Sequence, residues 1–287
     1  MNVLVTGGNG QLGISLHRYA FDDEENQWRF ADHKEFDITN ELMMDDFVVK
    51  NNVQFIVNCA AYTNVPGAEF DQMTYIVNGD GCRNLANICK RYNIPLIHIS
   101  TDYVYGGTKL NKPINEKAPL HPENKYGGSK MLGEQYIKTI APQFIILRTQ
   151  WLYSIYGKNF FLTIINKLKE DTEFHVVYDQ VGTPTYADDL ARAIVYIIKN
   201  KKYLKKYNGI YNFSNLGVAS WYDFAKYIEN HTTRTDLVKP GLTGDGGVVR
   251  PVYTVMDKTK FTQKFGFDIP YWTNSLDHCI ETYKRQR

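Results

Sequence analysis

The chain has 287 residues, with 33 Lys and Arg against 31 Asp and Glu, a formal charge of +2 with His neutral. So flat a balance argues against a broad nucleic-acid surface, which carries a clear basic excess or stripe. Apolar residues make up 43% and charged residues 22%, mean hydropathy is -0.40, and no apolar run reaches the length of about 18 residues that a membrane-spanning helix needs, so the composition is that of a globular chain with ample core.

In chain order, residues 2–6 (Asn-Val-Leu-Val-Thr) are predicted as a buried strand, followed at once by a glycine-rich turn and a helix. Strands are expected at 28–31, 54–58, 95–100 and 144–148, and helices at 41–51, 72–92 and 126–140. Strand, helix, strand at this spacing means βαβ units and a parallel sheet covered on both faces. Right-handed crossovers then give an α/β, Rossmann-type doubly wound sheet. The second half is less regular, with helices expected at 159–170, 187–200, 220–230 and 273–285 and strands at 174–177 and 209–213. Asp245-Gly-Gly with Arg250-Pro251 reads as a loop. The expected division is a dinucleotide-binding unit over 1–150, with return segments near 179–215 bringing strands near 179 and 211 back to its sheet. Residues 151–178 and 216–287 would form a smaller, interleaved substrate-binding lobe.

Four cysteines, at 59, 82, 89 and 279, form no Cys-x-x-Cys pair, and the seven histidines form no metal-binding cluster. They read as reduced thiols without a metal, Cys82 and Cys89 as small buried hydrophobes. The N-terminus lacks the basic and apolar regions of a secretory signal, so a cytoplasmic location is expected.

Gly7, Gly10 and Gly13 stand directly after the first strand. Glycines there permit a tight turn, close approach of backbone to a pyrophosphate, and close packing of helix on strand. The helix N-terminus adds free N–H groups and a positive dipole end, and this placement reads as dinucleotide binding. Asp32, about 20 residues on, is the expected partner of the adenosine ribose. His33 and Lys34 follow it and would tolerate a 2′-phosphate, so NADH and NADPH both stay open. Asp37 and Ile38 are placed near the adenine, or are simply a strand-to-helix turn.

Of 21 tyrosines, three have Lys four residues on: Tyr105/Lys109, Tyr126/Lys130 and Tyr222/Lys226. Residues so spaced share a helix face, and an ammonium beside a phenol lowers its pKa, making it a workable proton donor. Only Tyr126 has Ser100-Thr101-Asp102-Tyr103 about 25 residues upstream, at the carboxyl end of a parallel strand, where open α/β sheets bind ligands. Tyr126 and Lys130 are therefore read as the functional pair.

These residues resemble the extended short-chain dehydrogenase/reductase superfamily and, more narrowly, the dTDP-4-dehydrorhamnose reductase family, almost end to end. The superfamily signal is Val5-Thr-Gly-Gly-Asn-Gly-Gln-Leu-Gly13 with Tyr126-Gly-Gly-Ser-Lys130. The narrower signal is the Gly-Gln-Leu-Gly of the first piece, Arg148-Thr-Gln-Trp151 and Asp179-Gln-Val-Gly-Thr-Pro-Thr185, in that order. Asn58-Cys-Ala-Ala-Tyr-Thr63, Gly157-Lys-Asn-Phe160, Ala187-Asp-Asp-Leu190 and Arg250-Pro251 match as well. The resemblance implies NADPH- or NADH-dependent reduction of the C4 keto group of a dTDP-linked deoxysugar. It implies Tyr126 as proton donor, Lys130 as its pKa-lowering partner and ribose ligand, and Thr101 on the substrate oxygen. Gly7, Gly10, Gln11, Leu12, Ala60, Ala61 and Thr63 would line the cofactor cleft. Asp102, Tyr103, Trp151, Asn159 and Arg250 would meet the sugar or diphosphate. A monomer or homodimer is expected.

Three departures stand out. Val65-Pro66-Gly67-Ala68-Glu69 replaces the usual Val-Asp-Lys-Ala-Glu, which removes an acid and a base and stiffens the loop. Tyr105-Gly106-Gly107 replaces Phe-Asp-Gly. Ser15 stands where some members carry a Glu linked to a magnesium-bridged dimer, so no metal is expected. The competing readings are a reductase or epimerase of another nucleotide-linked 6-deoxy-keto-sugar and a non-catalytic dinucleotide-binding regulatory subunit.

Overall fold

A computed structural model describes residues 1–106, 112–244 and 246–286. Gly107, Lys109 and Asp245, named above, lie outside them. The centre is a sheet of six parallel strands: β1 (Asn2–Thr6), β2 (Gln27–Ala31), β3 (Phe55–Asn58), β4 (Leu96–Thr101), β5 (Phe144–Thr149) and β6 (Gly209–Asn212), in the order β6-β5-β4-β3-β1-β2. Strand alternation sends Val3 and Val5 into one core and Leu4 into the other. Both faces are buried, which is why these strands read as continuous apolar runs. Helices Gln11–Ala20 and Ala187–Lys199 cover one face, through Leu12, Leu16, Leu190 and Ile194. Helices Glu41–Lys50, Gly81–Tyr92 and Lys125–Ile140 cover the other, where Cys82 and Cys89 are small buried hydrophobes. The chain places β2 on one side of β1 and β3 on the other. The reversal opens a crevice at the carboxyl ends of β1 and β3.

The helix expected over 72–92 comes in three pieces: Met73–Tyr75, a π-helical turn Ile76–Asp80, and Gly81–Tyr92. The wide turn aims Asn78 across the crevice wall. Its Nδ2 donates to Tyr62 O (3.0 Å) and Ser129 Oγ (3.1 Å), and its Oδ1 accepts from Tyr62 N (2.9 Å). It thus ties the loop after β3 to helix Lys125–Ile140.

In the second half, helices Phe160–Lys169, Trp221–Asn230 and Trp272–Arg285 share a separate core. Strands Phe174–Val177 and Val238–Gly241 pair parallel beside them, and Val181–Gly182 pairs antiparallel with Ala219–Ser220. The expected return of a strand near 179 to the main sheet does not occur among the described residues. Asp179 instead accepts from Thr243 N and Oγ1, at 3.0 and 2.8 Å, which holds its segment to the Val238–Gly241 side. The strand expected around 211 does join the sheet, as β6 beside β5. Short helices Val65–Ala68 and Thr259–Phe265 were not expected from the sequence.

Candidate active site

The glycine turn is built as its spacing requires. Gly7 adopts φ +64°, and Gly10 N–H donates to Gly7 O at 2.9 Å. A Cβ on Gly13 would stand 2.5 Å from both Gly7 O and Gly8 O, so only glycine lets the helix start this close to the strand. Gly10 is the N-cap and brings no side-chain acceptor. The first N–H groups of Gln11–Ala20 therefore face the crevice unclaimed by a cap, which fits an anionic pyrophosphate.

From this turn a cavity of about 800 Å³ runs along the carboxyl ends of the strands. At one end lie Asp32, His33, Asp37 and Ile38. The Asp32 carboxylate accepts from the N–H groups of Lys34 (2.8 Å) and Glu35 (3.2 Å) and from Asn9 Nδ2 (3.0 Å). The backbone N–H groups, that of Lys34 first, hold its pKa below the ordinary value. Asp37 Oδ1 accepts from Thr39 N and Oγ1, both at 2.8 Å, so it organises its own turn as well as lining the cavity. Gly7, Gly10, Gln11, Leu12, Ala60, Ala61 and Thr63 line the middle. The Thr6 hydroxyl sets the loop there, donating to Asn58 Oδ1 (2.6 Å) and accepting from Ala60 N (3.2 Å).

At the other end Thr101, Asp102, Tyr103, Tyr126, Lys130 and Trp151 converge. Thr101 closes β4 and lines the cavity together with Tyr126. Its hydroxyl donates to Asp102 Oδ1 at 3.1 Å. Tyr103 sets its ring edge-on to Tyr126, with centroids 5.4 Å apart. Asn124 starts the helix that carries Tyr126 and Lys130, its Oδ1 accepting from Gly127 N at 2.8 Å. Trp151 sits at φ +46° and stacks on Trp221, with centroids 3.7 Å apart and planes within 12°. That stack fixes an indole wall at the edge of the second lobe.

The electrostatics differ from the sequence expectation at one point. Tyr126 is not pulled down by Lys130. Burial dominates and pushes the phenol up; Thr101 opposes it, while Tyr103 and Asp102 add to it. Lys130 is occupied elsewhere: its Nζ donates to Ile99 O at 2.7 Å and lies 3.4 Å from His98 Nε2. Burial lowers the pKa of Lys130 and holds that of His98 well below the ordinary imidazole value.

Two expected residues are not on the cavity wall. The Asn159 amide is consumed locally, donating to Ser154 O and Tyr156 O (2.9 Å each) and accepting from Leu162 N as the cap of Phe160–Lys169. Arg250 is exposed, and its charge reaches Tyr103. Conversely, Gln150 and Lys158 line the cavity without having been singled out. The signal for Lys158 was its place after Gly157, which turns at φ +68°.

The profile described as RmlD substrate binding domain matches residues 1–285. A dTDP-4-dehydrorhamnose reductase of Aggregatibacter actinomycetemcomitans is 37% identical over 289 residues, covering 96% of each chain. The chain belongs to the dTDP-4-dehydrorhamnose reductase family. A crystal structure of a dTDP-4-dehydrorhamnose reductase from Clostridium acetobutylicum superposes with TM-score 0.93 at 34% identity, over 99% of this chain and 100% of that one. A second, from Bacillus anthracis in complex with NADP, gives 0.89 at 35% identity, over 98% of each. This dTDP-4-dehydrorhamnose reductase family member is an NAD(P)H-dependent oxidoreductase of the extended short-chain superfamily, with a dinucleotide as cofactor. Among its described residues no helix is long and apolar enough to cross a membrane.

Proposed function

We propose that the enzyme reduces the C4 keto group of dTDP-4-dehydro-L-rhamnose to give dTDP-L-rhamnose. The observation that carries this reading is the meeting of Thr101 and Tyr126 in one cavity with an uncapped glycine turn. When bound, the reduced nicotinamide supplies a hydride to the sugar carbon. The chain's own residues do the rest. The N–H groups after Gly10 hold the pyrophosphate, and Asp32 with Asp37 and Ile38 takes the adenosine end. Lys130 leaves Ile99 O to hold the nicotinamide ribose. Thr101 bonds the keto oxygen, and Tyr126 gives it a proton as negative charge develops there. Trp151 and Tyr103 pack on the sugar, and Arg250 at the rim meets the diphosphate. Residues 1–150, with the return at Gly209–Asn212, serve the cofactor, while 151–178 and 216–287 serve the substrate. Asp32 beside His33 makes both NADH and NADPH acceptable, and the enzyme acts in the cytoplasm as a monomer or homodimer.

The test is oxidation of NADH and of NADPH, in parallel, by the protein with dTDP-4-dehydro-β-L-rhamnose. Stoichiometric consumption is expected. Tyr126→Phe should bind cofactor normally and lose about 10²–10⁴-fold in turnover, the usual contribution of a positioned acid. Unchanged turnover in that variant refutes the assignment. Absence of oxidation with either cofactor refutes the substrate.

A further inference from the structure

We propose that Trp221 is a positioning residue for the substrate: its ring, stacked behind Trp151, holds that indole in the strained backbone conformation from which it meets the sugar. This rests on the reading that Trp151 packs on the sugar and goes beyond it by naming what fixes the wall.

Trp151 needs outside support. Its φ of +46° lies in the left-handed region, which a side chain as bulky as tryptophan occupies only where surrounding packing compensates the strain. That packing comes from the second lobe. The Trp221 ring lies 3.7 Å from the Trp151 ring, centroid to centroid, with planes 12° apart. Trp151 lines the cavity and Trp221 does not, so the outer ring stands behind the inner one. Trp221 is itself held from three directions. It is the first residue of helix Trp221–Asn230, whose start is fixed by reciprocal bonds: Ser220 Oγ accepts from Asp223 N at 3.0 Å, and Asp223 Oδ2 accepts from Ser220 N at 2.8 Å. Its Nε1 donates to Gln180 Oε1 at 3.2 Å. Phe160 packs edge-on against it, with centroids 4.6 Å apart.

The antiparallel pair Val181–Gly182 with Ala219–Ser220 delivers these parts to one place, since Gly182 stands opposite Ala219, two residues before Trp221. Gly182 contributes by its lack of a side chain: a Cβ there would stand 3.0 Å from Trp151 Cε2. The indole is thus gripped on one face and along one edge, and its remaining surface belongs to the cavity. A ring fixed before the ligand arrives loses little freedom on binding, and that preorganisation adds affinity. The stack therefore acts on the sugar nucleotide. It leaves the dinucleotide alone, because the glycine turn and Asp32 lie further along the cavity. Trp221 touches neither ligand in this scheme and works only through Trp151.

The experiment measures, on the full chain, far-UV circular dichroism, NADPH affinity by fluorescence titration, and kcat and KM for dTDP-4-dehydro-β-L-rhamnose with NADPH. Two indoles this close couple as an exciton pair, so wild type should show adjoining positive and negative bands, and their absence overturns the stack. Trp221→Leu should lose those bands and raise KM by about ten-fold, the scale of an aromatic stack. Its kcat should stay within about three-fold and its NADPH affinity within about two-fold. Trp221→Phe keeps a stacking ring but not a second indole, so it should lose the bands yet hold KM near the wild-type value. An unchanged KM in Trp221→Leu overturns the proposal, and so does an equal loss of NADPH affinity, which marks general disruption. An unchanged KM in Trp151→Leu overturns the underlying reading instead. Should Trp221→Leu not fold, Gln180→Met decides: loss of the acceptor for the Trp221 N–H should weaken the paired bands and raise KM, and an unmoved KM overturns the proposal.

Discussion

Asp102 bears on stability. Its carboxyl keeps a proton up to about pH 7 in the folded chain, while an unfolded aspartate ionises near 3.9. Between those values the unfolded chain holds fewer protons, so this residue lowers stability as pH rises, by about 4 kcal/mol at most once both values are passed. Asp102→Asn should therefore stabilise at pH 8 and change little at pH 4, as read by urea unfolding at both; equal shifts would refute a neutral buried acid. The opposite case is Glu134, whose oxygens take Arg148 Nε and Nη2 at 2.8 and 2.5 Å, each side chain 1% exposed. Tyr105 packs its ring on that guanidinium and donates to Asn212 Oδ1 at 2.7 Å, which gives the tyrosine in place of the usual phenylalanine a structural task. Glu134→Gln should destabilise by about 3–5 kcal/mol, since it leaves Arg148 charged and unpaired. That Thr101 and Tyr126 line one cavity was legible in the sequence from strand end and helix spacing. The direction of the Tyr126 shift was not, because it follows from how deeply the phenol is buried and where Lys130 points. Asn159 misled for a different reason: asparagine suits both a polar site and a helix cap, and spacing does not separate the two.

At the scale of elements, the βαβ pattern was readable because buried parallel strands are continuous apolar runs with glycine and helix at their ends. The π turn at Ile76–Asp80 was not, since one wide turn inside a helical stretch leaves the overall pattern helical, yet it is what brings Asn78 to Tyr62 and Ser129. The two-residue strand pairs of the second lobe are shorter than any periodicity can register. The departure at Val65–Ala68 forms a short helix capped by Asn64, and Glu69 Oε1 accepts from Lys125 N at 2.8 Å. The changed loop is therefore pinned to the helix that carries Tyr126. The glycine turn makes the sharpest element-level prediction. Gly13→Ala forces a methyl to within 2.5 Å of two carbonyl oxygens, so the helix must move off the strand. Cofactor affinity measured by fluorescence titration should fall by more than ten-fold, and an unchanged affinity would refute the role of that close approach.

Across the whole molecule, the two halves are joined by more than the covalent chain. Asp188 starts the helix Ala187–Lys199 and accepts from Arg18 at 2.8 Å and Tyr19 at 3.3 Å on the first helix, and from Tyr186 at 3.1 Å. Asp189 beside it accepts from Asn215 and Ser275, at 2.7 and 2.5 Å, and so reaches β6's exit and the last helix. Shared anchors of this kind predict a single cooperative calorimetric transition, with two separated transitions as the refuting result. Ligand at 100 times its dissociation constant should add about 2.7 kcal/mol.

The four cysteines are all free, and burial pushes the thiols of Cys59 and Cys89 to about 12 and that of Cys82 to about 11, with Cys279 raised as well. Cys82, Cys89 and Cys279 are thus shielded from thiol-directed dyes at neutral pH, while Cys59 is half-buried on the cavity wall. A cysteine installed at Phe70, 91% exposed just beyond the Val65–Ala68 helix at the cleft, would be the one fast-reacting position. With Cys59 replaced, the background is ready for a site-specific fluorophore while the three buried thiols stay in place.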